Sequence, residues 1–346
     1  METVNFLSSL LKLSNEPAIQ YLCDMEKKDQ PGIYFAPLQE STDFVYRRAH
    51  AIHFGGIDKY FSPYILVQND GSLKKSHQRD ILKENCIGYT LVPQMMAGKS
   101  PDFIYLAKYL SENGYEEINW NLGCPYPMVT NKGMGSGLLP HPDQIRRILD
   151  ESLPLINSRI SVKLRAGLIS TDEILAIIPV LNEYPLVEVI LHPRVATQLY
   201  SGEPDHEVFG KVSGLCRHEL VYNGDLTTSD DFDRVREKFA AVSRWMIGRG
   251  MLKNPFLALE IKGRGLPGKV EKIAMLERFH DDIVGNYAAM LSGQRHLIIR
   301  MTKFWEYFSF LFPNPHKAFK RVKKSTSMAK YQIAVGENFL QLRSEE

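Results

Sequence analysis

The stretch SPDFIYLAKYLSENGYEEINWNLGCP, residues 100–125, holds one complete structural unit. It opens on Ser100, a side chain suited to cap a helix, and Pro101, suited to the first helical position, and this helix-like half closes at Gly114. The second half, EINWNLG (117–123), is a short β-branched and aromatic run that reads as a strand. The strand stops at a polar residue, Asn121, and a cysteine follows at once: Cys124, pinned between Gly123 and Pro125. A glycine-rich loop, GMGSG (133–137), comes next, with one lysine, Lys132, just before it.

The same unit recurs in both directions along the chain. Strand-like runs occur at GIYFAPL (32–38), YFSPYI (60–65), GYTLVPQ (88–94), EINWNLG, ISVKLR (160–165), VEVILH (187–192), ELVYNG (219–224) and RWMIGRG (244–250). Helix-like segments separate most of them, among them HPDQIRRILDES, STDEILAIIPVLNEY and TTSDDFDRVREKFAAV, the last with its acids at the N-terminus where the helix dipole favours them. Eight strand–helix units over roughly 250 residues predict a parallel sheet of the (β/α)8 TIM-barrel size. A doubly wound open sheet is the alternative. The closed barrel is preferred because polar residues end nearly every strand, which suits one ring-shaped site. After GRGLPGK (263–269) the strands cease, and Val270, Ile273, Leu276, Phe279, Ile283, Tyr287 and Met290 keep helical spacing, as do Leu297, Met301, Phe304, Phe308 and Leu311. The expected organisation is an N-terminal extension (1–30), a barrel domain (31–264) and a small all-helical domain (268–346).

Composition narrows the function classes. Of 346 residues 44% are hydrophobic, enough for a real core, yet no apolar run reaches the roughly 18 residues of a membrane span. The apolar N-terminus lacks a basic region and a small-residue cleavage site, so it reads as a short amphipathic helix and not as a signal peptide. The four cysteines, Cys23, Cys86, Cys124 and Cys216, show no CxxC spacing, which argues against structural zinc and a disulfide scaffold. A metal-free, monomeric protein of the reducing cytoplasm is expected, with Cys124 free for chemistry. Net charge is +2 but uneven: from Lys269 onward 13 Lys+Arg face 8 Asp+Glu, and no acid lies between Glu306 and Glu337. That window holds Lys320, Arg321, Lys323 and Lys324, either a solvated helix face or a phosphate-binding surface.

Chemistry in a barrel sits at the C-terminal strand ends, which here read APLQ, SPYI, PQMMAG, NLGCP, KLRAG, LHPR, NGD and GRG. Lys163, in a strand otherwise built for a core, needs an electron-rich partner. Gly224 and the 248–250 segment can bring backbone N–H groups to a phosphate, with Arg249 pairing to it. A fixed lysine at one end and a phosphate site at the other suit FMN better than a dinucleotide, whose GxGxxG fingerprint is missing.

With these residues the chain resembles the tRNA-dihydrouridine synthase family. The shared motifs are APL (36–38), Gln94, NLGCP with its glycine-rich loop, VKLRAG, LHPR, NGD and IGRG, in the family's order over residues 36–250. The resemblance implies an FMN-dependent, NADPH-reduced enzyme that saturates the C5–C6 bond of uridines in tRNA. It places Pro37, Leu38, Gln39 and Gln94 at the isoalloxazine, Lys163 and His192 at the flavin edge, and Asn223, Gly224, Asp225, Gly248 and Arg249 at the ribityl-phosphate end. The family usually has Met where Leu38 stands and a larger residue than Ala166, departures that bear on which uridine is served. Hydride delivery to C6 needs a proton at C5, and a thiol of ordinary pKa is protonated at neutral pH, so Cys124 is the expected acid. Asn121, two residues before, points into the same site by strand alternation and can bond the uracil edge. Arg165 and Arg194 are candidates for the base carbonyl or adjacent phosphates, and Tyr200 for stacking. A uridine in folded tRNA must be flipped out at a cost of a few kcal/mol, which the basic window of the helical tail is expected to offset. The rivals are an FMN barrel reductase of free small molecules and a tRNA-binding protein without catalysis.

Overall fold

The computed structural model describes residues 30–344, and the expected N-terminal helix, with Cys23, lies outside them. Nine strands form: β1 Gly32–Phe35, β2 Lys59–Phe61, β3 Leu91–Val92, β4 Gln94–Met95, β5 Glu117–Leu122, β6 Arg159–Gly167, β7 Glu188–Val195, β8 Glu219–Tyr222 and β9 Arg244–Ile247. Their order is β3-β2-β1-β9-β8-β7-β6-β5-β4, and every pair is parallel. β3 and β4 are halves of one strand broken at Pro93, which has no N–H for the ladder. The first half pairs with β2 and the second with β5. Across the break, the Gln94 N–H donates to Ser62 Oγ at 3.0 Å and the Asn119 N–H donates to the Pro93 carbonyl at 2.9 Å. The sheet thus closes into a TIM barrel, as expected over a doubly wound sheet. The segment YFSPYI forms a strand only as far as Phe61, because Pro63 cannot donate, and Ile65 rejoins through one bridge to Met95.

Helices alternate with the strands: α1 Phe44–His53, α2 Lys75–Asp80, α3 Ser100–Glu112, α4 Pro127–Thr130, α5 Pro142–Ser152, α6 Asp172–Leu181, α7 His206–Leu215, α8 Ser229–Lys238, α9 Arg249–Lys253 and α10 Leu257–Ile261. In α3 the cap is Lys99; Ser100 is the first helical residue, and its hydroxyl donates instead to Glu151. Phe103 of α3 meets Trp120 of β5 edge-on at 5.2 Å, which seats that helix on that strand. The N-terminus of α8 carries a capping box: Thr228 accepts from the Asp231 N–H at 3.0 Å, and the Asp231 carboxylate accepts from the Thr228 N–H at 3.1 Å.

Strand alternation sends every second side chain inward. Tyr34, Ala36, Phe61, Val92, Ile190, Val221 and Met246 pack together in the interior, Ala36 reaching the cavity. At the N-terminal strand ends, fully buried Glu188 joins Tyr34, Lys59 and Arg244 through bonds of 2.9, 3.2 and 3.2 Å, closing the bottom of the barrel with ion pairs. The plug leaves the C-terminal end open for a site.

The tail forms α11 Lys269–Met290, α12 Gln294–Phe308, α13 Pro315–Lys323 and α14 Met328–Ser344. Phe279 of α11 packs edge-on against Phe54 at 5.0 Å and Tyr46 at 5.5 Å. The N-cap of α1, Asp43, accepts from Tyr287 at 2.7 Å and Arg300 at 2.5 Å. The helical tail is therefore anchored to the first barrel unit. Among the described residues, no helix is long and apolar enough to cross a membrane.

Candidate active site

A cavity of about 450 Å³ opens at the C-terminal end of the barrel. Its walls come from the loops after the strands, and the expected residues Pro37, Leu38, Gln39, Gln94, Asn121, Cys124, Lys163, Arg165, His192, Tyr200, Asn223, Gly224, Asp225, Gly248 and Arg249 all line it. Register explains the convergence. Gln94 pairs with Asn119, Asn121 with Lys163, and Arg165 with His192 on neighbouring strands, so alternate residues climb the inner wall together.

Cys124 sits at the centre of a built turn. Asn121 Oδ1 accepts from both the Gly123 and Cys124 N–H groups at 2.9 Å. The Cys124 carbonyl accepts from the Ser136 N–H at 3.1 Å and the Ser136 hydroxyl at 2.9 Å. The glycine-rich loop is therefore a buttress for the cysteine. Gly135 has φ +55°, and a Cβ there would stand 2.8 Å from the Cys124 carbonyl oxygen; at Gly137 it would stand 2.5 Å from that of Thr130. Gly135→Ala is expected to destabilise the fold by about 1–3 kcal/mol, from overpacking against backbone that cannot yield. Urea unfolding checks this, and an unchanged midpoint would contradict the buttress.

The thiol is buried beside Tyr64. Burial pushes its pKa above the ordinary thiol value, and this outweighs the lowering by nearby hydrogen bonds and by the Arg165 and Lys163 charges. It is a protonated thiol at neutral pH. Lys163 is the reverse case. Burial, then repulsion from Arg165, brings its pKa down to about 7. Among the described residues its Nζ makes no ion pair, while Lys59 and Lys262 are each paired with carboxylates. An amine with no ion pair among the described residues, at a cavity wall, is a fitting neighbour for an electron-rich ligand edge. His192 is held neutral by burial and by the four surrounding cations Arg165, Lys163, Arg194 and Arg249.

Also in the cavity lining, Asp225 binds two arginines: Arg194 at 2.6 Å and Arg249 at 2.6 Å. Burial opposes its ionisation, but the Arg194 hydrogen bond and both charges prevail, and its pKa is lowered. Arg249 also lies 4.0 Å over the Tyr200 ring, and Arg165 lies 5.5 Å over it while donating to the Val195 carbonyl at 2.9 Å. Three cations against one carboxylate leave this wall positive, as a phosphate requires. The Asn223 side chain donates to the Met246 carbonyl at 2.8 Å and ties β8 to β9 beneath that wall.

Some expected residues stand elsewhere. Arg194 is fully buried behind Asp225, with a further bond to the Gly202 carbonyl, and does not line the cavity. Its place is to hold Asp225, not to meet substrate directly. Lys320, Arg321, Lys323 and Lys324 lie on and just after α13, away from the cavity lining. Arg321 is engaged with Asn338, Gln341 and Glu337 of α14, whereas the three lysines are exposed. Tyr331, in the same window, is core: its hydroxyl bonds His280 and Trp305. The sequence reading missed Tyr64, Tyr126, Met128 and Tyr307, which complete the rim. Tyr64 was within reach, in the strand end SPYI. Tyr307 comes from α12 of the tail, and no local signal announces it.

Comparison with known proteins agrees with this geometry. A family model described as dihydrouridine synthase (Dus) matches residues 34–342. The chain is 28% identical over 243 residues to tRNA-dihydrouridine(16) synthase of Ralstonia nicotianae, covering 67% of this chain and 73% of that one. It is 26% identical over 307 residues to tRNA-dihydrouridine(16) synthase of Cupriavidus necator, covering 85% and 94%. Among solved structures, the old yellow enzyme from Trypanosoma cruzi is similar with a TM-score of 0.51 at 10% identity, over 68% of this chain and 89% of that one, a likeness of fold.

Proposed function

The chain belongs to the dihydrouridine synthase family, and on that premise we propose that it reduces the C5–C6 double bond of a uridine in tRNA, with FMN in the barrel cavity, NADPH as reductant and Cys124 as the acid. The observation that carries the reading is the meeting in one cavity of a protonated, buried Cys124 with Lys163, which makes no ion pair among the described residues. The residues present fit a flavin. Lys163 and His192 would face its electron-rich edge, Gln94 and the Pro37–Gln39 segment its ring, and Gly224, Gly248 and Arg249 its phosphate. When bound, the flavin supplies a hydride to C6 of the base.

The protein's own residues do the rest. As the base is reduced, charge builds on its C4 carbonyl and passes to C5. Cys124 gives C5 its proton from the thiol, whose raised pKa keeps that proton available at neutral pH. Asn121 and Ser136 hold the turn so that the thiol has one direction. The thiolate left behind lies near Arg165, Lys163 and Tyr64, which stabilise it until it regains a proton. Arg165, lining the cavity, is assigned to the base carbonyl or a neighbouring phosphate, and Tyr200 to stacking at the mouth. Asn121 has one side-chain N–H beyond its bond to Gln94, and we assign it to the uracil edge.

Recognition of the folded tRNA is assigned to the helical region 268–346, through the exposed lysines of α13. The triple substitution Lys320→Ala, Lys323→Ala, Lys324→Ala is expected to weaken tRNA binding and to reduce the slope of log affinity against log salt by roughly three units, near one for each phosphate no longer neutralised. Titration of labelled tRNA at several salt concentrations measures both. Bound flavin stays unchanged, and an unaltered slope would remove the tail from the account. The overall reading is tested by incubating the protein with unmodified tRNA and NADPH and analysing the nucleosides for dihydrouridine. Reduction of free unsaturated molecules with no dihydrouridine would favour a small-molecule reductase instead.

A further inference from the structure

Four inward side chains form an unbroken row that begins in the cavity lining and runs out of it: Asn121 and Asn119 of β5, Gln94 of β4 and Ser161 of β6. Asn121 Nδ2 donates to Gln94 Oε1 at 2.7 Å, Gln94 Nε2 donates to Asn119 Oδ1 at 2.8 Å, and Asn119 Nδ2 donates to Ser161 Oγ at 3.0 Å. Asn119 and Ser161 are fully buried, Gln94 nearly so. Neither Asn119 nor Ser161 lines the cavity.

The direction of this chain is not a free choice. Amide oxygen and nitrogen are told apart by what they must bond. The Gly123 and Cys124 backbone N–H groups can only donate, so the Asn121 atom facing both at 2.9 Å is oxygen. Its nitrogen must then meet an acceptor, which fixes Gln94 Oε1. Gln94 nitrogen must meet an acceptor in turn, which fixes Asn119 Oδ1 and leaves Asn119 nitrogen for the Ser161 oxygen. Reversing any one amide sets two donors or two acceptors face to face in a dry interior, at the cost of an unmade buried hydrogen bond.

We propose that Asn119 and Ser161 are positioning residues: they anchor a one-directional hydrogen-bond chain that holds Gln94 and Asn121, and through Asn121 the Gly123–Cys124 turn, in a single orientation toward the cavity. The chain decides which edge of the Gln94 amide presents a donor and which an acceptor to whatever occupies the barrel mouth. It also couples the floor of the cavity to the direction of the thiol. The assignment goes beyond the proposed reaction, because it concerns the orientation of the turn before any ligand binds, although its value for catalysis rests on that reading.

Polarity supplies the test. Asn119→Asp preserves the chain: one carboxylate oxygen accepts from Gln94, and the Ser161 hydroxyl turns to donate to the other. Asn119→Leu, of similar size, breaks it. The rate of Cys124 alkylation by iodoacetamide, followed by mass spectrometry of the full-length ligand-free protein, reports the turn, and Cys86 and Cys216 report global opening. Asn119→Leu is expected to alkylate at Cys124 about tenfold faster than wild type, the scale of losing one buried hydrogen bond, and Asn119→Asp within about twofold of it. An unchanged rate in Asn119→Leu, or an equal acceleration in Asn119→Asp, would overturn the proposal. Should Asn119→Leu open globally, Ser161→Ala takes its place. It should alkylate at Cys124 at least about twofold faster, again for one lost bond, and no acceleration would overturn the proposal equally. Flavin affinity is measured in parallel on the same variants. A wild-type protein that binds no flavin would refute the functional reading while leaving the alkylation test of the chain intact.

Discussion

Cys124→Ala is expected to lower dihydrouridine formation by about 10²–10⁴-fold while leaving the flavin in place, because a positioned acid contributes that much to a proton transfer. The expectation follows from how the residue is held. Its amide and carbonyl are fixed by Asn121 and Ser136, and its side chain packs with Met96 and Val129 at the cavity wall. Removing the sulfur deletes the C5 proton source without disturbing backbone bonds made by atoms that alanine retains. Cys124→Ser is the informative companion. A hydroxyl is a far weaker acid than a thiol, so it should restore the shape and little of the rate. The pH dependence has a definite sign. Burial raises the Cys124 pKa, so the acid form persists through neutrality and is lost only as pH rises past the ordinary thiol range. A variant lacking the thiol that retained full activity would remove the acid role.

Lys163→Met should weaken flavin binding by roughly tenfold to a hundredfold, the worth of one hydrogen bond from a charged donor. The substitution keeps length and apolar stem and removes only the amine, which among the described residues makes no ion pair for other side chains to miss. Wild-type binding should also depend on pH where the variant's does not. In the free protein, burial holds the Lys163 pKa at about 7, below its ordinary value. A bound electron-rich edge favours the charged amine and raises that pKa, so binding takes up a proton above pH 7. Affinity is therefore greatest below pH 7 and declines as pH rises above it. Calorimetry in buffers of different ionisation enthalpy counts the proton directly. No proton uptake, or the same pH profile in Lys163→Met, would take Lys163 away from the ligand.

Much of this was legible in the chain, and the reason is physical. Parallel barrel strands are buried on both faces, so they read as short apolar runs that end abruptly where the cavity begins. Asn121, His192, Asn223 and Gly248 mark such ends, which is why the part of the cavity lining that sits at strand ends is legible in the chain. Even the break in the third strand has its cause in view, at Pro93 of GYTLVPQ. What was hidden depends on partners distant in sequence. Arg194 reads in sequence as a ligand-binding cation, but Asp225 stands against it at 2.6 Å. Arg321 belonged to a basic window until Asn338 and Gln341 took its guanidinium. Tyr307 reaches the cavity only because Asp43 and Phe54 seat the tail on the first barrel unit. The glycine-rich loop gives no sign in sequence of which residue it supports. It packs against Cys124, because Gly135 and Gly137 let the backbone approach where a Cβ would collide.

The most direct measurement is a single turnover. The protein, with its flavin reduced beforehand and excess reductant removed, is mixed anaerobically with unmodified tRNA while flavin absorbance and dihydrouridine are followed together. The account predicts that flavin reoxidation and dihydrouridine formation share one rate, and that Cys124→Ala slows both. Reoxidation without dihydrouridine, or reduced flavin that tRNA leaves untouched, would contradict it.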